Sequence, residues 1–195
     1  MSEHITEIIF LLDRSGSMSG LERDTIGGFN SFIEMQRKLP GRIKLTTVLF
    51  DNQYEVLWDG VDAIQAKLTE KDYFVRGTTA LLDAVGKTIV NVNQRLSEKN
   101  GVSVQEVIFV ITTDGMENAS KEFTHEKVKE MINYQKLHHD WKFIFMGANI
   151  DAIEEASNIG ISMEHAHSYE SSQVGVRAMY DKIHEAVTDH RHRKR

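Results

Sequence analysis

The chain has 195 residues, 41% hydrophobic and 27% charged, which suits one soluble domain with a full core and excludes general disorder. It contains no cysteine, which excludes disulfides, thiolate metal sites and cysteine nucleophiles. Its formal net charge is −6, and residues 189–195 hold four Lys/Arg against one acid, so the remainder is more acidic still and ill suited to neutralising nucleic-acid phosphates. The first residues show no basic region followed by a long apolar run, and no stretch nears the length that spans a bilayer. The expectation is a cytoplasmic protein with no membrane and no nucleic-acid partner.

The first predicted element is a strand. Ile8, Ile9, Phe10, Leu11 and Leu12 form a short, continuous apolar run, as a strand buried on both faces does. Ile26, Phe29, Phe32 and Ile33 then step by three and four, which predicts an amphipathic helix ending before the Pro40-Gly41 turn. Ile43, Leu45, Thr47 and Leu49 alternate as a second strand. The segment 54–58 follows after only Asp51-Asn52-Gln53, a link that suits an antiparallel hairpin and not a parallel crossover. Leu82, Val85, Ile89, Val92 and Leu96 lay one apolar stripe along a second helix, which starts near Ala80.

Val107, Ile108, Phe109, Val110 and Ile111 predict another buried strand. Val128, Met131 and Ile132 mark a third helix with Thr124 as its N-cap, and Phe143-Ile144-Phe145-Met146 mark the next strand. A short helix at 152–158, a last strand through 164–169 and a helix carrying Val176, Met179, Ile183 and Val187 complete the chain. Strands alternating with helices predict one α/β domain over 1–188. Its sheet is doubly wound and Rossmann-like, with about six mostly parallel strands, one antiparallel edge strand and helices on both faces. Residues 189–195 read as a short basic tail.

In such sheets ligands sit beyond the carboxyl ends of the strands, where strand order reverses. Three oxygen-rich segments should meet there: Asp13-Arg14-Ser15-Gly16-Ser17 at the end of the first strand, Arg76-Gly77-Thr78-Thr79-Ala80-Leu81 opening the second helix, and Thr112-Thr113-Asp114-Gly115 at the end of the strand at 107–112. Asp13 and Asp114 supply two negative charges, and Ser15, Ser17 and Thr79 supply neutral hydroxyls. That is a hard oxygen set of the kind Mg²⁺, Mn²⁺ or Ca²⁺ prefers, with room on the ion for an outside ligand such as a carboxylate.

Asp13-x-Ser15-x-Ser17, then Gly-Thr-Thr-Ala-Leu, then Thr113-Asp114-Gly115, in this order, resembles the von Willebrand factor type A (vWA) family over nearly the whole chain. The resemblance implies that these segments form a metal-ion-dependent adhesion site (MIDAS), with Asp13, Ser15, Ser17, Thr79 and Asp114 holding one divalent cation, Mg²⁺ foremost. The family's middle segment usually reads Gly-Gly-Thr, which aligns Thr79 with the ligand and puts Thr78 where a second Gly is common. The variant that binds a second ion carries two further acids in the first segment. Gly20 and Leu21 stand there, so one metal is expected. The resemblance further implies a protein partner offering an acidic residue, and an adaptor or subunit role in an intracellular assembly such as an ATPase-type machine.

Other signals lead elsewhere. Gly86-Lys87-Thr88 lacks the earlier Gly of a phosphate loop, because position 81 is Leu; Met18 stands where a nucleophile elbow needs Ser; and Lys129 stands where a zincin helix beginning at His125-Glu126 needs its second His. The pairs His138-His139, His165-x-His167 and His190-x-His192 have no third ligand in register. Arg76 and Asn149 are expected near the metal edge, Arg76 either orienting an incoming carboxylate or pairing locally. The expectation is a binding module and not an enzyme. The alternatives are a metal-assisted phosphoryl hydrolase using Asp13, although the helper acid two residues on is Ser15, and a structural domain with a vestigial site.

Overall fold

The computed structural model describes residues 4–98, 104–148 and 151–193. Six strands form one sheet: β1 (Ile5–Asp13), β2 (Arg42–Phe50), β3 (Tyr54–Asp62), β4 (Glu106–Thr113), β5 (Lys142–Gly147) and β6 (Ala166–Ser168). Their order is β3-β2-β1-β4-β5-β6; only β3 runs antiparallel to its neighbour, and it lies at one edge. Among the described residues the α-helices are α1 (Glu22–Arg37), α2 (Leu81–Glu98), α3 (His125–His139), α4 (Ala152–Asn158) and α5 (Gln173–Arg193). The doubly wound, mostly parallel sheet of the sequence reading is the observed architecture.

The pleat explains the layers. Along β1, Ile8, Phe10 and Leu12 face α1 and α5, while Ile9 and Leu11 face the layer holding α2, α3 and α4. In the first layer the Phe10 ring meets Phe29 edge-on at 5.3 Å and stacks on Tyr180 at 6.1 Å. In the second, Phe109 stacks on Phe143 and Trp141. Because both faces of β1 and β4 are covered, every residue of both strands is buried, including Glu7 and Glu106. Glu7 is held by Arg95 of α2 and by the Thr46 hydroxyl.

Thr124 caps α3 as expected, its hydroxyl accepting from the Lys127 N–H at 3.2 Å. Three details differ from the sequence reading. β3 runs on to Asp62 through Asp59-Gly60, with register shifts against β2 between Leu45 and Val48. Residues 163–165 form a 3-10 turn, so β6 keeps only three residues. The segment read as a tail from 189 is, as far as Arg193, the last part of α5. Arg191 is buried there, donating to the Gln36 side chain and to the carbonyls of Gln36 and Pro40. Among the described residues, no helix is long and apolar enough to cross a membrane.

The strand order reverses at β1 and β4: β1 leads outward to β2 and β3, whereas β4 leads outward to β5 and β6. The crevice beyond their carboxyl ends is therefore the switch point of the sheet. β1 ends there at Asp13 and β4 ends there at Thr113.

Candidate metal centre

At the end of β1, the Asp13 carboxylate is fixed from both sides. Its Oδ1 accepts from the Ser15 N–H at 2.7 Å and its Oδ2 from the Thr113 hydroxyl at 2.7 Å. The turn after it becomes a one-turn 3-10 helix, Gly16–Met18, which swings Ser17 back over the strand ends. The Ser15 and Ser17 hydroxyls lie 3.2 Å apart, and Ser17 Oγ donates to Asp114 Oδ1 in a short contact. From β6 and the turn that follows, the Ser171 hydroxyl donates to Asp114 Oδ2 at 3.4 Å, and Tyr169 donates to the Thr113 carbonyl.

The middle segment is brought in by backbone contacts. The Gly16 N–H donates to the Gly77 carbonyl at 3.0 Å, and the Arg76 N–H donates to the Arg14 carbonyl at 2.8 Å. Gly77 has φ +70°, and a Cβ there would stand 2.1 Å from Asn52 Oδ1, so only glycine fits. Thr79 is 3% exposed, while Thr78 faces solvent. A Cβ on Gly115 would lie 2.9 Å from Thr79 Oγ1 and 3.3 Å from Ser17 Oγ, which places all three groups around one point. The structure thus brings Asp13, Ser15, Ser17, Thr79 and Asp114 together at the switch point.

Two carboxylates in so dry a place repel each other and are poorly solvated. Burial pushes the Asp114 pKa up to about 6; the bond from Ser17 opposes the rise and the Asp13 charge adds to it. Burial also raises Asp13, against the bonds from Ser15 and Thr113. Two carboxylates with three hydroxyls make a donor set of the kind that suits a divalent cation. Its charge would offset both carboxylates, and three hydroxyls would complete an oxygen shell of the hard-ion type. Among the described residues, no group of three or more His, Asp or Glu is placed to hold a metal. His125 sits on Glu155 instead, at 3.1 Å.

Several residues that matter here carried no signal in the sequence. Tyr73 donates to the Asp13 carbonyl at 2.6 Å from a buried position. Asp51, wholly buried at the β2–β3 turn, accepts from Arg14 Nε at 3.0 Å and from Arg76 Nε at 2.8 Å. Arg76 also donates to Gln53, so it pairs locally, and both guanidinium groups stand over the Phe74 ring, at 5.5 Å for Arg14 and 5.3 Å for Arg76. Asn149 lies outside the described residues.

The loop between β4 and α3 is fastened along α2. Asp83 accepts the N–H groups of Lys121, Glu122 and Phe123, each at 2.9 Å. Gly86 leaves the space in which the Phe123 ring packs, 2.4 Å from where a Cβ would stand. Burial alone would raise the Asp83 pKa, but the three N–H donors outweigh it and hold the carboxyl below its ordinary value. A lowered folded-state pKa contributes stability above the unfolded value near 3.8, which is lost as pH falls through the folded one. Asp83→Ala should therefore cost about 3 kcal/mol at pH 7, the scale of hydrogen bonds to a charged group, and the gap to wild type should narrow on acidification below pH ~4. Denaturation midpoints at pH 7 and pH 3 check this, and equal midpoints at pH 7 would refute it.

No family model and no curated protein matches the sequence. The likeness is one of structure. Proximal thread matrix protein 1 from the mussel byssus superposes with a TM-score of 0.66 at 14% identity over 94% of this chain. The same mussel protein with a zinc-occupied MIDAS motif gives 0.63 at 15% identity over 95% of the chain. Each match covers 46% of the mussel protein, so this chain spans less than half of its length. The vWF domain of the type V pili tip protein Mfa5 from Porphyromonas gingivalis gives 0.65 at 10% identity, with 96% of both chains covered. The chain has the von Willebrand factor type A fold. Manganese-loaded TRAP protein of Plasmodium vivax is similar as well, at TM-score 0.62 and 21% identity over 90% of this chain and 71% of that one. In this vWA fold, the site assembled above occupies the switch point between β1 and β4.

Proposed function

We propose that this vWA domain is a metal-dependent protein-binding module. Asp13, Ser15, Ser17, Thr79 and Asp114 hold one divalent cation, Mg²⁺ foremost, with Mn²⁺ or Ca²⁺ as alternatives. The observation that carries the reading is the pair of buried, mutually repelling carboxylates ringed by three hydroxyls at the sheet's switch point. When bound, the cation supplies an electrophilic centre for an incoming carboxylate of a partner protein.

The chain's own residues do the rest. Thr113 and the Ser15 N–H aim the Asp13 carboxylate; Tyr73 fixes the backbone beneath it; Ser17 and Ser171 orient Asp114. Gly16, Ser17, Thr78 and Met116, all uncharged, face solvent on the three segments of the site. The similarity to structures with a zinc-occupied MIDAS motif and with manganese bound supports a divalent ion. An adaptor or subunit role in a cytoplasmic assembly, such as an ATPase-type machine, is the setting that the family resemblance favours.

The binding reading is preferred over a hydrolase with Asp13 as nucleophile. Ser15 stands two residues after Asp13, where a hydrolase of that kind needs its helper acid, and the Ser15 hydroxyl lies 3.2 Å from that of Ser17 within the site. The test is capture from lysate of the source cells by wild type in Mg²⁺, wild type in chelator, and Asp114→Ala in Mg²⁺. The expected result is a partner seen only in the first, whose binding is lost when its own acidic residue is changed to the amide. A partner held equally in all three would sink the proposal.

A further inference from the structure

The loop after β4 grips the start of α2 by more than Asp83. The Thr79 peptide groups are held on both sides by one residue and its neighbour. Asn118 Oδ1 accepts from the Thr79 N–H at 3.0 Å, while the N–H groups of Asn118 and Ala119 both donate to the Thr79 carbonyl, at 3.0 and 3.2 Å. Thr79 stands just ahead of α2, where backbone N–H groups have no partner inside the helix. Glu117 shapes the turn that presents Asn118. Its Oε1 accepts from Ala119 and Ser120, and its Oε2 reaches across to the Leu82 N–H at 2.9 Å. This stretch of loop directly follows Asp114 and Gly115, so the clasp ties the third segment of the site to the second.

We infer that Asn118 is a positioning residue for the metal centre, acting through Thr79, an inference that rests on the metal-binding reading given above. A threonine side chain has one torsion between its backbone and its hydroxyl, and that torsion is confined to a few staggered wells. Once Asn118 fixes the Thr79 backbone, Oγ1 can stand in few places. The place it takes is beside Ser17 Oγ and over Gly115, where the missing Cβ leaves room for it. A neutral hydroxyl is a weaker ligand than a carboxylate, so its contribution depends on being held in place. Side chains that orient a ligand from outside the first shell change metal affinity by about 10- to 100-fold when removed.

The experiment is a double-mutant cycle read by two observables, with Mn²⁺ as the probe: its dissociation constant by calorimetry, and the unfolding temperature in chelator. Asn118→Ala should weaken Mn²⁺ binding about tenfold. In a Thr79→Ala background, Asn118→Ala should change the dissociation constant by less than about twofold, because no hydroxyl is left to position. The unfolding temperature in chelator should behave differently. The Asn118 contacts are to the Thr79 backbone, which Thr79→Ala keeps, so the loss of melting temperature should be the same in both backgrounds. Full affinity in Asn118→Ala, or affinity losses that add in the double variant, would overturn the inference while leaving the metal site standing. A wild type that binds no Mn²⁺ would overturn the metal reading, and this inference with it.

Discussion

Asp114→Asn should be more stable than wild type in chelator and less stable than wild type in saturating Mg²⁺, a reversal that follows from the chemistry of one buried carboxylate. With the Asp114 pKa pushed up to about 6, above an unfolded value near 3.8, the group contributes stability only while protonated. That contribution is complete below pH ~3.8 and is lost as pH rises through 6. At pH 7.5 the metal-free wild type therefore keeps a charge in a dry site beside Asp13, at a cost of about 1–3 kcal/mol. Asparagine has nearly the same shape, can still accept from Ser17, and carries no charge. Its stability in chelator should fall less between pH 4 and pH 7 than that of wild type, because only Asp13, whose pKa burial also raises, is left to lose its proton there.

The cation inverts the order. A ligand at one thousand times its dissociation constant adds about 4.1 kcal/mol to a native state that alone binds it, more than the cost of the buried charge. For a domain of this size that is roughly 8–16 °C in melting temperature. Asp114→Asn loses one of two charged ligands and should show almost none of this gain. Thermal melts of both proteins, with chelator and with Mg²⁺ at pH 7.5, give four numbers whose crossing is the expected result. Parallel shifts in the two proteins would mean that any ion bound is using another surface.

The parts of this site that are readable in the sequence are those where each group sits next in the chain to the element that positions it. Asp13 closes one continuous apolar run and Asp114 follows another after Thr112-Thr113, and such runs are buried on both faces because helices cover both sides of β1 and β4. Strand ends in a doubly wound sheet then converge by topology alone. What was illegible depends on partners far away in the chain. Arg191 belongs to a run of basic residues that reads as a tail, yet its guanidinium is satisfied by groups 151 and 155 residues earlier. The edge strand reads as 54–58 alone, whereas β3 runs on to Asp62, and Gly60 takes a positive φ inside it and donates its N–H to Thr46 across the sheet. The choice of Thr79 over Thr78 comes from the family's Gly-Gly-Thr segment, and in the structure Thr79 is buried while Thr78 faces solvent.

Asp51→Ala should be among the most damaging single changes in the chain, costing about 3–5 kcal/mol and roughly 10 °C in melting temperature. The reason lies in what it would strand. Arg14 and Asp51 are both wholly buried, and the carboxylate receives Nε of Arg14 and of Arg76 together with the Gln53 N–H. Without it, Arg14 keeps one ionic partner, Glu55, which is itself half exposed. A buried guanidinium left half paired costs far more than the pair gained by forming. Arg76, with 39% of its side chain exposed, is a lesser loss, and Arg76→Ala should cost below about 1 kcal/mol. The comparison that isolates the effect is Arg14→Met with Asp51→Leu in one protein. Removing both charges together should recover most of the stability lost by Asp51→Ala, as apolar replacement of a buried ion pair does. Denaturant midpoints of the three variants decide it, and a double variant no better than Asp51→Ala would show that the cost lies elsewhere. Arg14 stands between Asp13 and Ser15, and its carbonyl accepts the Arg76 N–H. The single variant should therefore also bind Mg²⁺ more weakly than the double one, since a displaced Arg14 moves the two neighbours that would hold the ion.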